Sequence, residues 1–222
     1  MIDIHTHVIP FVDDGSKSIE DSIEMIKESI AQGVITIVAT PHHYYKKYQN
    51  TVEIIKNNFD FLKEQLTISN ININLLLGEE IYYSSEEDII SLLKSKKLLT
   101  LNDTKYVLLE FSTTREVKDI TEVIYNFIVS GYIPIISHVE RYSWLKRDII
   151  KKLKEEGAVI SVNSTSFTHN VSFIERHKVK KLIKLGLVDV VASDMHSFRR
   201  STMGEARRIV KDDRLFNFDL SK

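Results

Sequence analysis

The sequence predicts an α/β fold in which seven strand-and-helix units close into a barrel-like array, and three observations predict it. Short runs rich in Val, Ile and Leu, most of them apolar on both faces, alternate with longer amphipathic stretches, the pattern of a parallel sheet covered outside by helices. Four of the seven glycines, Gly33, Gly131, Gly157 and Gly186, each stand between an amphipathic stretch and the next apolar run, where a helix ends in a left-handed residue. The 222 residues suit one α/β barrel better than two ordinary domains, and no linker, repeat or low-complexity tract divides them, so residues 1–222 are read as a single domain.

The strands are expected at Ile2 to His5, Val34 to Thr40, Ile73 to Leu77, Tyr106 to Glu110, Ile133 to Ser137, Val159 to Val162 and Val188 to Ala192. Helices at about Ser18 to Gln32, Thr51 to Leu66, Glu86 to Ser95, Asp119 to Ser130, Trp144 to Glu156 and Ser172 to Leu185 separate them. Right-handed crossovers bring each strand back parallel to the one before it. A last helix and a short Asn-Phe-Asp-Leu tail follow Gly204.

Composition excludes several function classes. There is no cysteine, so disulfides, thiolate-held zinc and a thiolate nucleophile are ruled out. Thirty basic and 31 acidic residues give a formal net charge of −1, which offers no general footprint for nucleic acid. With 43% hydrophobic residues and no apolar run near the roughly 18 residues of a spanning helix, no membrane insertion is expected. The chain enters a strand at once with no signal-like segment, and a cytoplasmic location is expected.

The residues that carry chemistry sort onto the strand ends. His5 and His7, at i and i+2, share a face and can converge on one cation. Alone they read equally as two strand-end histidines, but His42 follows strand two, Glu80 strand three, Glu110 ends strand four, His138 follows strand five, and Asp194 and His196 follow strand seven. In a parallel barrel these ends lie at one mouth, where catalytic groups sit. Asp14, in the loop after strand one, completes a set of nine imidazole and carboxylate donors. One cation takes about four to six ligands, so two or three divalent ions sharing carboxylates are implied, and the mixed donors suit manganese, iron or zinc.

The segments Ile2–His7, Val12–Gly15, Ala39–Tyr44, Gly78–Tyr83, Leu109–Ser112, Ser137–Tyr142 and Ala192–His196, in order and with compatible spacing, together resemble the polymerase-and-histidinol-phosphatase family. More narrowly they are similar to its bacterial capsular-polysaccharide branch, the manganese-dependent protein-tyrosine phosphatases. The resemblance runs from Met1 to about Gly204 and implies a trinuclear site on a distorted TIM-like (β/α)7 barrel. By position it implies that His5, His7, Glu80 and Asp194 hold a first ion, with Glu80 bridging to a second that takes Glu110 and His138. Asp14, His42 and His196 hold the third. Asp13 competes with Asp14, and Glu79 with Glu80, since strand alternation lets only one of the latter pair face the site. The implied substrate is the phosphotyrosine tail of a bacterial tyrosine kinase that regulates capsule or exopolysaccharide export.

The chemistry stands without the family. A water bridging metal ions has its pKa lowered towards neutrality and can attack phosphorus in line, with no covalent intermediate on the protein. Arg141, just beyond His138, and Arg200, beyond His196, are assigned to the phosphoryl oxygens, which a guanidinium clamps bidentately. Compared with the family, the stretch after His196 is one residue shorter before its arginine, which leaves Arg199 as the alternative to Arg200. Tyr44, Tyr45, Tyr48, Tyr82 and Tyr83 either line the pocket or pack under loops. His43 is left out because neighbouring side chains on extended chain point apart, His169 could reach the mouth, and His177 is placed on a helix surface. A small-molecule phosphatase such as a histidinol-phosphate hydrolase, a non-enzymatic metal-binding regulator and an amidohydrolase are the competing readings.

Overall fold

In a computed structural model that describes every residue except Tyr45, Gln49, His169, Asn170 and 198–200, the alternation read from the sequence takes the form of nine strand segments and seven helices. In chain order they are β1 (Ile2–Thr6), α1 (Ile19–Ala31), β2 (Thr36–Ala39), β3 (His42–His43), α2 (Val52–Ile68), β4 (Asn74–Leu77), β5 (Glu80–Tyr82) and α3 (Ile89–Lys94). They continue as β6 (Tyr106–Glu110), α4 (Ile120–Val129), β7 (Ile133–Ile136), α5 (Arg147–Glu155), β8 (Val159–Asn163), α6 (Phe173–Lys184), β9 (Val190–Ala192) and α7 (Met203–Val210).

The nine segments make seven staves. β2 and β3 are one run broken at Pro41, which has no N–H to give a ladder, and β4 and β5 are one run broken at Gly78 and Glu79. Both breaks stay bonded across, through Gly78 N–H to Ala39 O and Glu80 N–H to Pro41 O, at 2.9 and 3.0 Å. All strand pairings are parallel, in the orders β1-β2-β4 and β3-β5-β6-β7-β8-β9. A parallel bridge from Thr6 to Met195, flanked by Asp194 N–H to His5 O and His7 N–H to Met195 O, joins the end of the last stave to the first. The chain therefore adopts the α/β, TIM-like barrel class expected of it.

Local sequence sets the helix limits. Ser18, Thr51, Asp88 and Ser172 accept N–H bonds from residues three positions on, the N-cap arrangement. Gly33, Gly131, Gly157 and Gly186 all have positive φ, as their place after a helix demands. Two helices start later than expected: Glu86 to Glu87 precede the Asp88 cap of α3, and Trp144 to Leu145 precede the extended Lys146 cap of α5. Among the described residues no helix is long and apolar enough to cross a membrane.

Each stave packs both faces. Ile37, Val107, Leu109, Ile136, Ile160 and Val191 join the large cluster shared with the helices. Their alternates Val38, Leu108, Ile135 and Val190, with Ile4 and Ala192, form a smaller inner cluster, against which Phe218 and Leu220 of the C-terminal tail pack. Two or four residues further along several staves the same face turns polar. Val38 is followed by His42, Leu76 by Glu80, Leu108 by Glu110, Val159 by Asn163 and Ala192 by Asp194. The site is the upper rung of the barrel's own interior.

Candidate metal centre

Two staves reach that rung by local distortion. In β1 the register against β2 slips between Asp3 and Thr6, so one extra residue sits there. Such a bulge re-aims a side chain, and Ile4 packs in the inner cluster while its neighbour His5 faces the site. On β7 the strand ends a residue early and His138, with φ 29°, turns in after Ser137. Asp194 also has positive φ, 52°, a conformation that Asp tolerates better than most residues and that costs about 1–3 kcal/mol where it is held.

Glu80 lies at the centre. It is fully buried between His5, His7, His42 and His138. Its Oε2 is 3.0 Å from His5 Nε2, 3.3 Å from His7 Nε2 and 3.1 Å from His42 Nδ1, and its Oε1 is 3.3 Å from His138 Nε2. Neither oxygen has a hydrogen-bond partner. An ionised carboxylate without partners is among the most expensive groups to bury, so a cation shared with the imidazoles fits where hydrogen bonds are missing.

The donors fall into three groups whose ligand atoms lie within 4.8 Å of one another: His5, His7, Glu80 and Asp194; His7, Asp14, His42 and His196; and His42, Glu80 and Glu110. All nine residues expected at the mouth are brought together. The third group contains His42 where the resemblance put His138, but His138 Nε2 stands 3.6 Å from Glu110 Oε1 on the other side of the same carboxylate pair. Asp194 Oδ1 is 3.4 Å from both His5 Nε2 and His196 Nδ1, and Asp14 Oδ1 is 3.5 Å from His42 Nε2 and 3.6 Å from His196 Nε2.

The competitors have other work. Asp13 faces away from the donors, with Oδ2 2.8 Å from His7 Nδ1 and accepting the His42 N–H at 2.9 Å, and with Oδ1 accepting the Gly15 N–H. It fixes the ring whose Nε2 points into the cluster, the arrangement by which an outer carboxylate orients a metal-binding histidine. The loop carrying it needs a glycine at position 15, because a Cβ there would come 2.2 Å from His7 O. Glu79 points to the opposite side and accepts the Leu99 N–H. His43 also faces away, 3.0 Å from Glu87.

Protonation without a cation is frustrated. Burial and the neighbouring Glu80 charge push Glu110 up to about 8. Burial opposes ionisation of Glu80 too, yet His5 and His42 hold it well below the usual carboxylate range. Burial disfavours the charged form of His7, but Asp13 outweighs it and the ring protonates well above its ordinary value. Partial burial and the neighbouring His7, on which it stacks at 3.8 Å, lower His196 to about 4. Divalent ions would replace these competing protons, since both donor types bind metal deprotonated.

A cleft of about 540 Å³ opens over the donors. Arg141 lines it with its side chain 43% exposed, and its Nη1 donates to Asp194 Oδ2 at 3.2 Å. It does not pair with the adjacent Glu140, which is buried and accepts from Asn163 N–H and Ser166 Oγ. Tyr44 and Tyr82 stack at 4.1 Å in the wall, and Tyr48 lies parallel to His42 at 5.8 Å. Tyr83 packs on Phe111 outside this cleft. Arg199, Arg200, Tyr45 and His169 lie outside the described residues. His177 is exposed on α6.

Sequence reasoning missed Asn163, whose Nδ2 donates to Asp194 Oδ2 at 2.8 Å. It ends the sixth stave, the one strand end to which no donor was given, and that gap was the available signal. Lys47, also in the cleft, carried no signal beyond its closeness to His42.

Residues 1–214 match the family model described as capsular polysaccharide synthesis, CpsB/CapC. The chain belongs to this family. It is 35% identical to the tyrosine-protein phosphatase CpsB of Streptococcus agalactiae, over 96% of this chain and 90% of that one. It is likewise 35% identical to the tyrosine-protein phosphatase YwqE of Bacillus subtilis, over 90% and 78%. Among solved structures it superposes with a TM-score of 0.88 and 33% identity on a chain from the work on YwqE of Bacillus subtilis and CpsB of Streptococcus pneumoniae, reported as metal-dependent tyrosine phosphatases, covering 99% of this chain and 89% of that one. The likeness to the histidinol phosphate phosphatase of Lactococcus lactis, TM-score 0.60 at 12% identity over 95% and 93% of the two chains, is one of fold.

Proposed function

We propose that the chain is a metal-dependent phosphatase that removes phosphate from tyrosine side chains of a protein in capsule or exopolysaccharide synthesis. The observation that carries this is Glu80, buried among four imidazoles with both oxygens lacking hydrogen bonds. With no cysteine in the chain, the thiolate route to a phosphotyrosine is closed and the metal route remains.

His5, His7, Asp14, His42, Glu80, Glu110, His138, Asp194 and His196 would hold two or three divalent ions, manganese by resemblance to the family. Bound there, such ions supply an activated water nucleophile and neutralise the phosphoryl oxygens. Asp13 keeps His7 Nε2 aimed inwards, and Asn163 holds Asp194 Oδ2 so that Oδ1 stays with the donors. The exposed Arg141 guanidinium turns to the substrate phosphate, with Arg200 or Arg199 as a second cation. The Tyr44–Tyr82 stack offers its face to the aromatic leaving group, worth about 0.5–1.5 kcal/mol beyond burial. The donor is the phosphotyrosine tail of a bacterial tyrosine kinase, and the place of action is the cytoplasm, where ATP-dependent phosphorylation occurs.

Purified protein with added manganese should hydrolyse phosphotyrosine peptides well above histidinol phosphate and phosphoserine peptides, and chelator should abolish the activity. Preference for histidinol phosphate would replace this reading with the small-molecule one.

A further inference from the structure

The Tyr44–Tyr82 stack is a shared wall. On its other side lies a second cleft of about 470 Å³, lined by the same two rings, by the half-buried Tyr83 and by the loop after β6. That loop is tied down at Ser112, whose Oγ accepts the Arg115 N–H at 3.0 Å and whose carbonyl accepts Trp144 Nε1–H at 2.7 Å. Its charge differs from that of the metal-lined cleft. There the carboxylates Asp14, Glu80, Glu110, Glu175 and Asp194 gather with Lys47, Arg141 and the histidines around the proposed ion site. Here Lys46 pairs with Glu86 at 2.6 Å, which leaves Arg115 and Lys118 in excess over Glu116.

We propose that this second cleft binds the peptide chain flanking the phosphotyrosine and takes an acidic side chain of it against Arg115 and Lys118. The inference rests on the proposed function and adds a sequence preference to it. A phosphotyrosine ring laid against Tyr44 and Tyr82 with its phosphate over the donors leaves its main chain at the top of that wall. Two or three extended residues, about 7 to 10 Å, then carry the peptide over the second cleft. An acidic side chain there meets the excess positive charge of Arg115 and Lys118. Because Arg115 and Lys118 are exposed, the contact acts on capture of the peptide more than on the chemical step.

The test compares kcat/KM on three substrates: a phosphotyrosine peptide with Glu at the two or three positions on either side, the same peptide with Lys there, and a small aryl phosphate. The parent enzyme should prefer the Glu peptide by about tenfold, and R115E/K118E should lose or invert that preference, with each single change giving part of the effect. The small aryl phosphate reports the metal centre itself. An equal Glu-to-Lys ratio in parent and double variant overturns the cleft assignment alone. Failure of the parent enzyme on every phosphotyrosine substrate overturns the proposed function and the cleft with it.

Discussion

The inner face of the barrel carries two layers that differ in every physical respect. The lower layer, with Ile4, Val38, Leu108, Ile135 and Val190, is fully buried, apolar and closed below by the tail residues Phe218 and Leu220. The upper layer, a rung or two along the same staves, holds Glu80, Glu110, Asp194 and five histidines, with buried oxygens and nitrogens that no hydrogen bond satisfies. The lower layer stabilises the fold and the upper layer, without cations, opposes it. The same strand alternation that builds a core also aims a cluster, and what differs is whether the rung is greasy or ionisable.

The first way to break this comparison is in the lower layer. Leu108→Ala should destabilise the protein by about 2–5 kcal/mol in denaturant titration, while folded protein keeps its ion content and its activity. Loss of ions would show that the floor also positions the donors.

In the upper layer the effect should fall on rate instead. Arg141→Ala should lower kcat/KM on a phosphotyrosine peptide roughly 30-fold to 1000-fold, about 2–4 kcal/mol of transition-state stabilisation. Arg141→Lys should recover only part, since an ammonium lacks the planar fork. Elemental analysis should find ions retained in both, because Asn163 still holds Asp194 Oδ2. A near-normal Ala variant would make Arg141 a surface residue, and an ion-depleted one would make it a support for Asp194.

Asn163→Ala should sharpen the same boundary. Losing an outer partner of a ligand costs about 10-fold to 100-fold in metal affinity, so activity should recover at raised manganese, whereas unchanged metal affinity would remove Asn163 from the centre.

The upper layer was largely legible in the sequence because a parallel barrel gathers its strand ends. His42, Glu80, Glu110 and Asp194 follow from strand ends and side-chain parity alone. His5 and His138 were found by residue type, although the bulge in β1 and the turn at His138 that deliver them depend on pairings between distant segments. The break at Pro41 was hidden because strand two reads continuously up to it. The choice between Asp13 and Asp14 needed the His7–Asp13 contact at 2.8 Å, which adjacent identical residues cannot announce. Asn163 was overlooked because an amide at a strand end carries no charge to notice. The tail's place under the barrel rests on packing of Phe218 against Tyr106 at 5.0 Å, a contact over a hundred residues of chain.

The smallest expected effect is on pH dependence. Burial raises Glu79 to about 8, and the group lies outside the donor cluster. The unfolded chain releases this proton near pH 4.5 while the folded protein keeps it to about 8. Folding therefore takes up a proton in that window, and this contribution to stability falls as pH rises through it. Glu79→Gln should make the fall in melting temperature between pH 6 and 9 shallower, and an identical slope would deny the buried carboxyl.

Glu80→Gln tests the division between the layers most directly, since it keeps shape and removes only the charge that four imidazoles surround. Ion content by elemental analysis, read beside phosphotyrosine hydrolysis and the melting temperature of the ion-free protein, gives the answer. The expected result is loss of at least one ion per chain and of hydrolysis, with the ion-free variant still melting cooperatively, because the amide keeps the shape of the carboxyl it replaces. Full ion content with unaltered kcat/KM would contradict the account.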